Sequence, residues 1–158
     1  MKFGVFYQLP CAVDQTPAAR YQDTIAQCQL ADELGFDAAW LAELHFNPSF
    51  SVMPAPLMIA SAIAQTTKNI RIGNAVNLLP LHQPVRLAEE VATLDVLSNG
   101  RAIFGAGRGS MPSHSEGYGV RQEEGRDRFL EAHDLIVRAW TEPGPFSFEG
   151  KHYNFRYV

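Results

Sequence analysis

Glu43 and His45 stand two residues apart at the end of a short apolar run, Ala38-Ala39-Trp40-Leu41. In an extended strand, that spacing puts both side chains on one face. A carboxylate beside an imidazole fixes the ring's tautomer and raises its basicity, which suits proton transfer near neutral pH. The same pair could equally be a structural contact at a strand rim. Further along, Gly105-Ala106-Gly107-Arg108-Gly109 lets backbone approach a flat or anionic ligand, with Arg108 offering a fork for phosphate. A tight turn with a solvated arginine is the competing reading. The segment is not a dinucleotide fingerprint, because Ser110 takes the last glycine's place and no glycine loop follows the first strand. Asn74 and Asn77 flank Ala75-Val76, whose small side chains leave room for a ring or simply pack.

Other chemistries lack their residues. His82, His114, His133 and His152 are scattered without the pairing or carboxylate neighbours of a metal site, so no metal is expected. Cys11 and Cys28 form no CxxC pair, and a reducing cytoplasm fits them. The chain has no P-loop, GxSxG elbow or HExxH motif. Its 158 residues are 46% hydrophobic and 19% charged, enough apolar content to bury a core of about one domain. A formal charge of −4 without runs of one sign makes nucleic acid and anionic membranes poor partners. The N-terminus shows no signal-peptide apolar region, and no stretch approaches the roughly 20 apolar residues that span a bilayer. A cytoplasmic protein is expected.

The candidate residues need elements to hold them. Lys2–Gln8 reads as a strand, and Thr16-Pro17 as an N-cap followed by proline at the first helical position. Tyr21, Ile25, Cys28, Ala31 and Leu34 mark one face of the helix that Gly35 stops. A strand over Asp37–Glu43, a loop over Asn47–Pro56 and a helix opened by Pro56 follow. Next come a strand at Ile70–Asn77 and a helix opened by Pro84 that buries Leu87, Val91, Leu94 and Leu97. A fourth strand, Arg101–Ala106, leads to a helix over Gln122–Thr141, and the alternating aromatics of Pro143–Val158 predict a hairpin. Four strand–helix units imply an α/β fold with a parallel sheet, either doubly wound or half of a (β/α)8 barrel. In either case chemistry belongs at the C-terminal ends of the strands, where Glu43, His45, Asn74 and Arg108 fall.

Several segments together resemble the bacterial luciferase-like flavin monooxygenase family. They are the N-terminal Met1-Lys-Phe-Gly-Val-Phe6, Gly35-Phe-Asp-Ala-Ala-Trp-Leu-Ala-Glu-Leu-His-Phe46, Leu79-Pro-Leu-His-Gln-Pro-Val-Arg-Leu-Ala-Glu-Glu90, Leu94-Asp-Val-Leu-Ser-Asn-Gly-Arg101 and Phe104-Gly-Ala-Gly-Arg-Gly109. Trp140-Thr-Glu142 and Phe146-Ser-Phe-Glu-Gly-Lys151 continue the likeness to the end of the chain. The family fold is a (β/α)8 TIM barrel of about 250 residues or more. The resemblance therefore implies that residues 1–158 are the N-terminal part of a single barrel domain, four β/α units truncated before strand 5.

The resemblance also implies a flavin-dependent oxidoreductase, foremost a two-component monooxygenase that uses reduced FMN and O2 on a small organic substrate. A flavin reductase would supply the reduced FMN, and the full protein would be a homo- or heterodimer. Alternatives within the family are a deazaflavin coenzyme with hydride transfer, or a non-catalytic partner subunit like the luciferase β chain. By similarity, Ala75-Val76 corresponds to the family's non-prolyl cis peptide beneath the flavin ring. Gly107 falls where the luciferase catalytic subunit has a cysteine near the ring, and Arg108 falls on the arginine that approaches the flavin phosphate. Asn74 and Gly109 complete the expected cofactor-binding set, with Glu43 and His45 at the mouth. One position departs: the family's Glu-His-His-Phe is here Glu43-Leu44-His45-Phe46, and Leu44 can neither take nor give a proton.

Overall fold

The computed structural model describes all 158 residues, which form two compact units. The first unit comprises Met1–Asn77 and Val91–Gly105, the second Leu78–Glu90 and Ala106–Val158. In chain order the elements are β1 (Gly4–Tyr7), α1 (Pro17–Glu33), β2 (Ala38–Leu41), α2 (Pro56–Thr66), β3 (Arg71–Asn74), β4 (Asn77–Leu78) and α3 (Pro84–Leu97). These are followed by β5 (Ala102–Ile103), β6 (Ala106–Gly107), α4 (Pro112–Gly117), α5 (Gly125–Thr141), β7 (Phe148–Glu149) and β8 (Asn154–Phe155). No helix is long and apolar enough to cross a membrane.

The first unit is a four-stranded parallel sheet in the order β1-β2-β3-β5. Strand order follows chain order without reversal, so the sheet has no topological switch point. One face, through Val5, Tyr7, Ala39, Leu41, Ile72 and Ala102, packs against α1, α2 and the C-terminal half of α3. The register sets Phe6, Trp40 and Gly73 side by side on the other face. There the Trp40 ring lies against Gly73 and Gly4, which have no side chains to displace it. A Cβ on Gly73 would sit 2.6 Å from the indole, and one on Gly4 would sit 3.1 Å from it.

The helix signals hold. Thr16 Oγ1 accepts from Ala19 N–H at 3.2 Å, with Pro17 opening α1, and Gly35 at φ +80° ends it. Asn99 and Gly100, at φ +58° and +78°, turn the chain out of α3. Two expected core positions are instead exposed, Leu34 at 67% and Leu97 at 49%. Each sits at the very end of its helix, where the periodic stripe has run past the surface it packs on. The strand expected at Ile70–Asn77 leaves the sheet after Asn74, and the fourth strand keeps only Ala102–Ile103 in the sheet.

The N-terminal ends of the strands are fastened by two charged side chains. All five N–H donors of Arg101 are used. Nη1 reaches Thr67 Oγ1 at 2.9 Å and the Ile70 carbonyl at 2.8 Å, and Nη2 reaches the Ala64 and Thr67 carbonyls at 2.8 and 3.2 Å. Nε donates to the Ser98 carbonyl at 2.7 Å. One guanidinium thus caps the C-terminus of α2 and ties it to the end of α3 and the start of β3. Asp32, near the end of α1, accepts from the backbone N–H groups of Lys68, Asn69 and Ile70 at 2.6–2.9 Å. Burial alone would raise its carboxyl, but these three donors and the charge of Arg101 hold it below the usual carboxylate range.

In the second unit, Glu131 of α5 repeats the device on the hairpin of β7 and β8. Its oxygens accept from the N–H groups of Lys151, His152 and Tyr153 at 2.9–3.2 Å, and Arg138 lies 4.5 Å from the centre of the Phe146 ring. The hairpin and the helix Gln122–Thr141 form as expected, except that the first three residues, Gln122–Glu124, are a 3-10 turn.

Replacing Arg101 with Lys leaves at least two of these acceptors without a donor, so we expect a loss of about 2–4 kcal/mol in urea unfolding. Asp32→Ala should cost about 1–3 kcal/mol at pH 7. The Asp32 carboxyl is depressed on folding, so most of this difference holds above about pH 5 and closes as pH falls through the unfolded value near 4 and the folded value below it. Parallel unfolding curves of the wild type and Asp32→Ala between pH 2.5 and 7 measure it.

Candidate functional site

Beyond β2 the chain is threaded between the end of β1 and its own following loop. Ala42 N–H donates to the Tyr7 carbonyl at 2.9 Å, and Leu44 N–H donates to the Met53 carbonyl at 3.3 Å. Leu9 and Phe46, just past β1 and β2, hold left-handed φ of +56° and +59°. Non-glycine residues there cost of order 1–3 kcal/mol each, so the C-terminal edge of the sheet carries backbone strain. Glu43 and His45 do come together: His45 Nε2 is 2.9 Å from Glu43 Oε1. Their side chains are only 1% and 3% exposed, however. The pair lies beyond the end of β2, in a stretch where Ala42, Glu43 and His45 are all buried. Leu44 between them is half-buried and packs against the same core.

At the end of β3 the peptide Ala75-Val76 is cis, as the family resemblance implied. The flanking asparagines form a directional chain. The Gly105 carbonyl can only accept, so Asn77 must turn its Nδ2 to it, at 2.8 Å. Asn77 Oδ1 then faces Asn74 and accepts from Asn74 Nδ2 at 2.6 Å. Asn74 is thereby oriented with Oδ1 left over, buried and without a hydrogen-bond partner. Gly105 is required here, because a Cβ on it would lie 1.9 Å from the Asn74 carbonyl oxygen. Sequence reasoning reached the glycine but not this contact, which spacing does not encode.

Gly107, Arg108 and Gly109 belong to the second unit. Gly109 at φ +80° turns the chain, and the exposed Arg108 packs its stem by Gly125, whose added Cβ would be 3.6 Å from Arg108 Cγ. Arg108, Gly109 and Gly125 line a cleft of about 340 Å3 together with Ser110, Met111, Ser115 and Gln122. Arg108 has no carboxylate partner, so its fork is available to an anion. Ser115 and Gln122 were missed in the sequence because α4, at Pro112–Gly117, is too short and polar to show periodicity. Its one signal was a proline a few residues past Arg108.

Replacing Asn77 with Ala removes one of the two donors to the Gly105 carbonyl, which keeps the residue-77 N–H, and strands the buried Asn74 Nδ2, so that neither end of the Asn74 amide has a partner. Stability should fall by about 1–3 kcal/mol, and the Asn74 side-chain amide resonances should lose their dispersion in a two-dimensional NMR spectrum.

Comparison with known proteins places this geometry. The sequence model described as luciferase-like monooxygenase matches residues 1–158. The chain is 30% identical over 158 residues to the oxygenase component of the flavin-dependent trigonelline monooxygenase of Acinetobacter baylyi, covering 98% of this chain and 43% of that protein. It is 32% identical over 161 residues to the alkanal monooxygenase alpha chain of Photorhabdus luminescens, covering 100% of this chain and 43% of the relative. Among solved structures, the oxygenating constituent of 3,6-diketocamphane monooxygenase from Pseudomonas putida, in complex with FMN, superposes with a TM-score of 0.92 at 26% identity. That match takes in 100% of this chain and 44% of the other. An F420-dependent secondary alcohol dehydrogenase shares the fold, with a TM-score of 0.80 at 22% identity over 99% of this chain and 47% of that one. The chain spans about half the length of the proteins it matches.

Proposed function

The chain belongs to the luciferase-like monooxygenase family, and from that premise we propose that it supplies the first four β/α units of a (β/α)8 barrel in a two-component, reduced-FMN-dependent monooxygenase. The sequential all-parallel order β1-β2-β3-β5 with helices on one face supports the half-barrel reading. The observation that carries the cofactor reading is Arg108, an unpaired guanidinium in a glycine-framed cleft. The residues fit a flavin mononucleotide. Arg108 offers charge-assisted donors to a phosphate, and the glycine beside it, Gly109, leaves backbone open to close approach.

In this reading Arg108, with Gly107 and Gly109 leaving room for close approach, binds the phosphate. The Ala75-Val76 backbone supports the ring. Asn77, fixed by Gly105, keeps Asn74 from flipping. Glu43 holds the His45 proton at Nε2, and their enclosed pair sets the path of the chain at Leu44. Reduced flavin, when bound, supplies the electrons with which O2 is activated toward a small organic substrate. A flavin reductase delivers it, and the full-length protein works as a dimer in the cytoplasm.

A second reading, the non-catalytic partner subunit, is favoured by one residue. Leu44 stands at the family's histidine position, and its side chain moves no proton. The deazaflavin alternative rests on the shared fold.

Equilibrium dialysis of the full-length protein against reduced FMN under anaerobic conditions tests the main reading. Arg108→Ala should weaken binding roughly tenfold to a hundredfold, and unchanged affinity would sink the assignment. Leu44→His separates the two readings. In an enzyme it should alter O2-dependent substrate oxidation at least severalfold, whereas a partner subunit stays inert.

A further inference from the structure

The Arg108 cleft does not end at Arg108. Ser115 and Gln122 also line a second, adjoining cleft of about 430 Å3, whose other walls include Glu116, Arg121 and Glu123. The charges there are unbalanced. Arg121 is committed to Glu124, with its Nε 2.6 Å from Glu124 Oε1, and Glu124 is shared with Arg128 at 2.9 Å. Glu116 and Glu123 have no basic partner and stand exposed on the rim. An anion entering from the Arg108 side thus meets one free positive charge, and a ligand continuing past it meets two free negative ones.

We propose that Glu116 and Glu123 determine coenzyme specificity, admitting a flavin that ends in a single phosphate and rejecting a deazaflavin whose phosphate runs on into a carboxylate-bearing tail. The inference rests on the reading that Arg108 takes a coenzyme phosphate. A terminal phosphate stops within reach of Arg108, while a glutamyl tail carries its carboxylates along the groove toward like charges. Exposed charges interact across about 8–10 Å at moderate salt, so the penalty is modest for each pair and accumulates along a polyanionic tail. Repulsion built against the wrong ligand is a recognised source of selectivity. Both side chains lie on the surface, outside the core and away from Arg108's own contacts. Their replacement by glutamine keeps shape and removes only charge.

The test is the affinity of the full-length protein for FMN and for an F420 coenzyme bearing two or more glutamates, by equilibrium dialysis, in wild type and in Glu116→Gln/Glu123→Gln. The wild type should prefer FMN. The double variant should gain roughly three- to tenfold in F420 affinity, with FMN affinity moving far less, and 0.5 M salt should erase most of the gain. An unchanged ratio of the two affinities, a gain indifferent to salt, or a wild type that prefers F420 overturns the proposal. FMN binding that Arg108→Ala abolishes, together with an unmoved ratio, overturns the selectivity alone. If neither coenzyme binds in an Arg108-dependent way, the cofactor reading falls and the selectivity falls with it.

Discussion

The guanidinium of Arg101 is the constraint on which the first unit depends. Its partners are the Ala64 and Thr67 carbonyls, where α2 ends, and the Ile70 carbonyl ahead of β3. To these it adds Ser98, just beyond α3. Carbonyls at helix ends have no partner within the helix and must find one elsewhere. One planar side chain with five donors settles three of them, the Ile70 carbonyl and a hydroxyl at once, which an ammonium cannot do. Asp32 answers from the opposite charge, satisfying three consecutive N–H groups in the loop between α2 and β3. Both devices sit at the N-terminal ends of the strands, and the opposite edge is thereby released from structural duty.

That division matches how barrels apportion their two faces, with stability below and chemistry above. At the C-terminal edge the backbone adopts conformations that a purely structural edge would avoid. Leu9 and Phe46 are left-handed, the Asn74 acceptor is unpaired, and Gly105 is pressed against a neighbouring carbonyl. These features lie at or just past the ends of the four strands of the sheet, β1, β2, β3 and β5. Arg108 follows three residues after Gly105 and, with its cleft, belongs to the second compact unit.

Most of the fold was legible because its signals are local. Thr16-Pro17, Pro56, Pro84 and Asn99-Gly100 each act through neighbours in sequence, and each marks a real boundary. The errors have physical reasons. Periodicity continued through Leu34 and Leu97 because the pattern knows spacing and not where the opposing surface stops. An interval of two residues brought Glu43 and His45 together, and said nothing of how deeply the pair is buried. Arg108 was legible from its glycines. The Arg101 knot was not, because its acceptors are main-chain oxygens that leave no mark on residue identity. The asparagine chain was half legible: the types and spacing were visible, while its direction depends on the Gly105 carbonyl, 28 residues away.

The glycine floor beneath Trp40 has an optical consequence. The chain holds two tryptophans. Trp140 is tethered, its indole N–H donating to the Ala88 carbonyl at 3.1 Å. Trp40 instead lies flat over Gly4 and Gly73 on the sheet face that the helices leave uncovered, half-buried beside the 55%-exposed Phe6. Its emission maximum is set by how wet that face is. The protein therefore carries a native chromophore on that open sheet face, and a blue shift of its emission would record the covering of the face without any label.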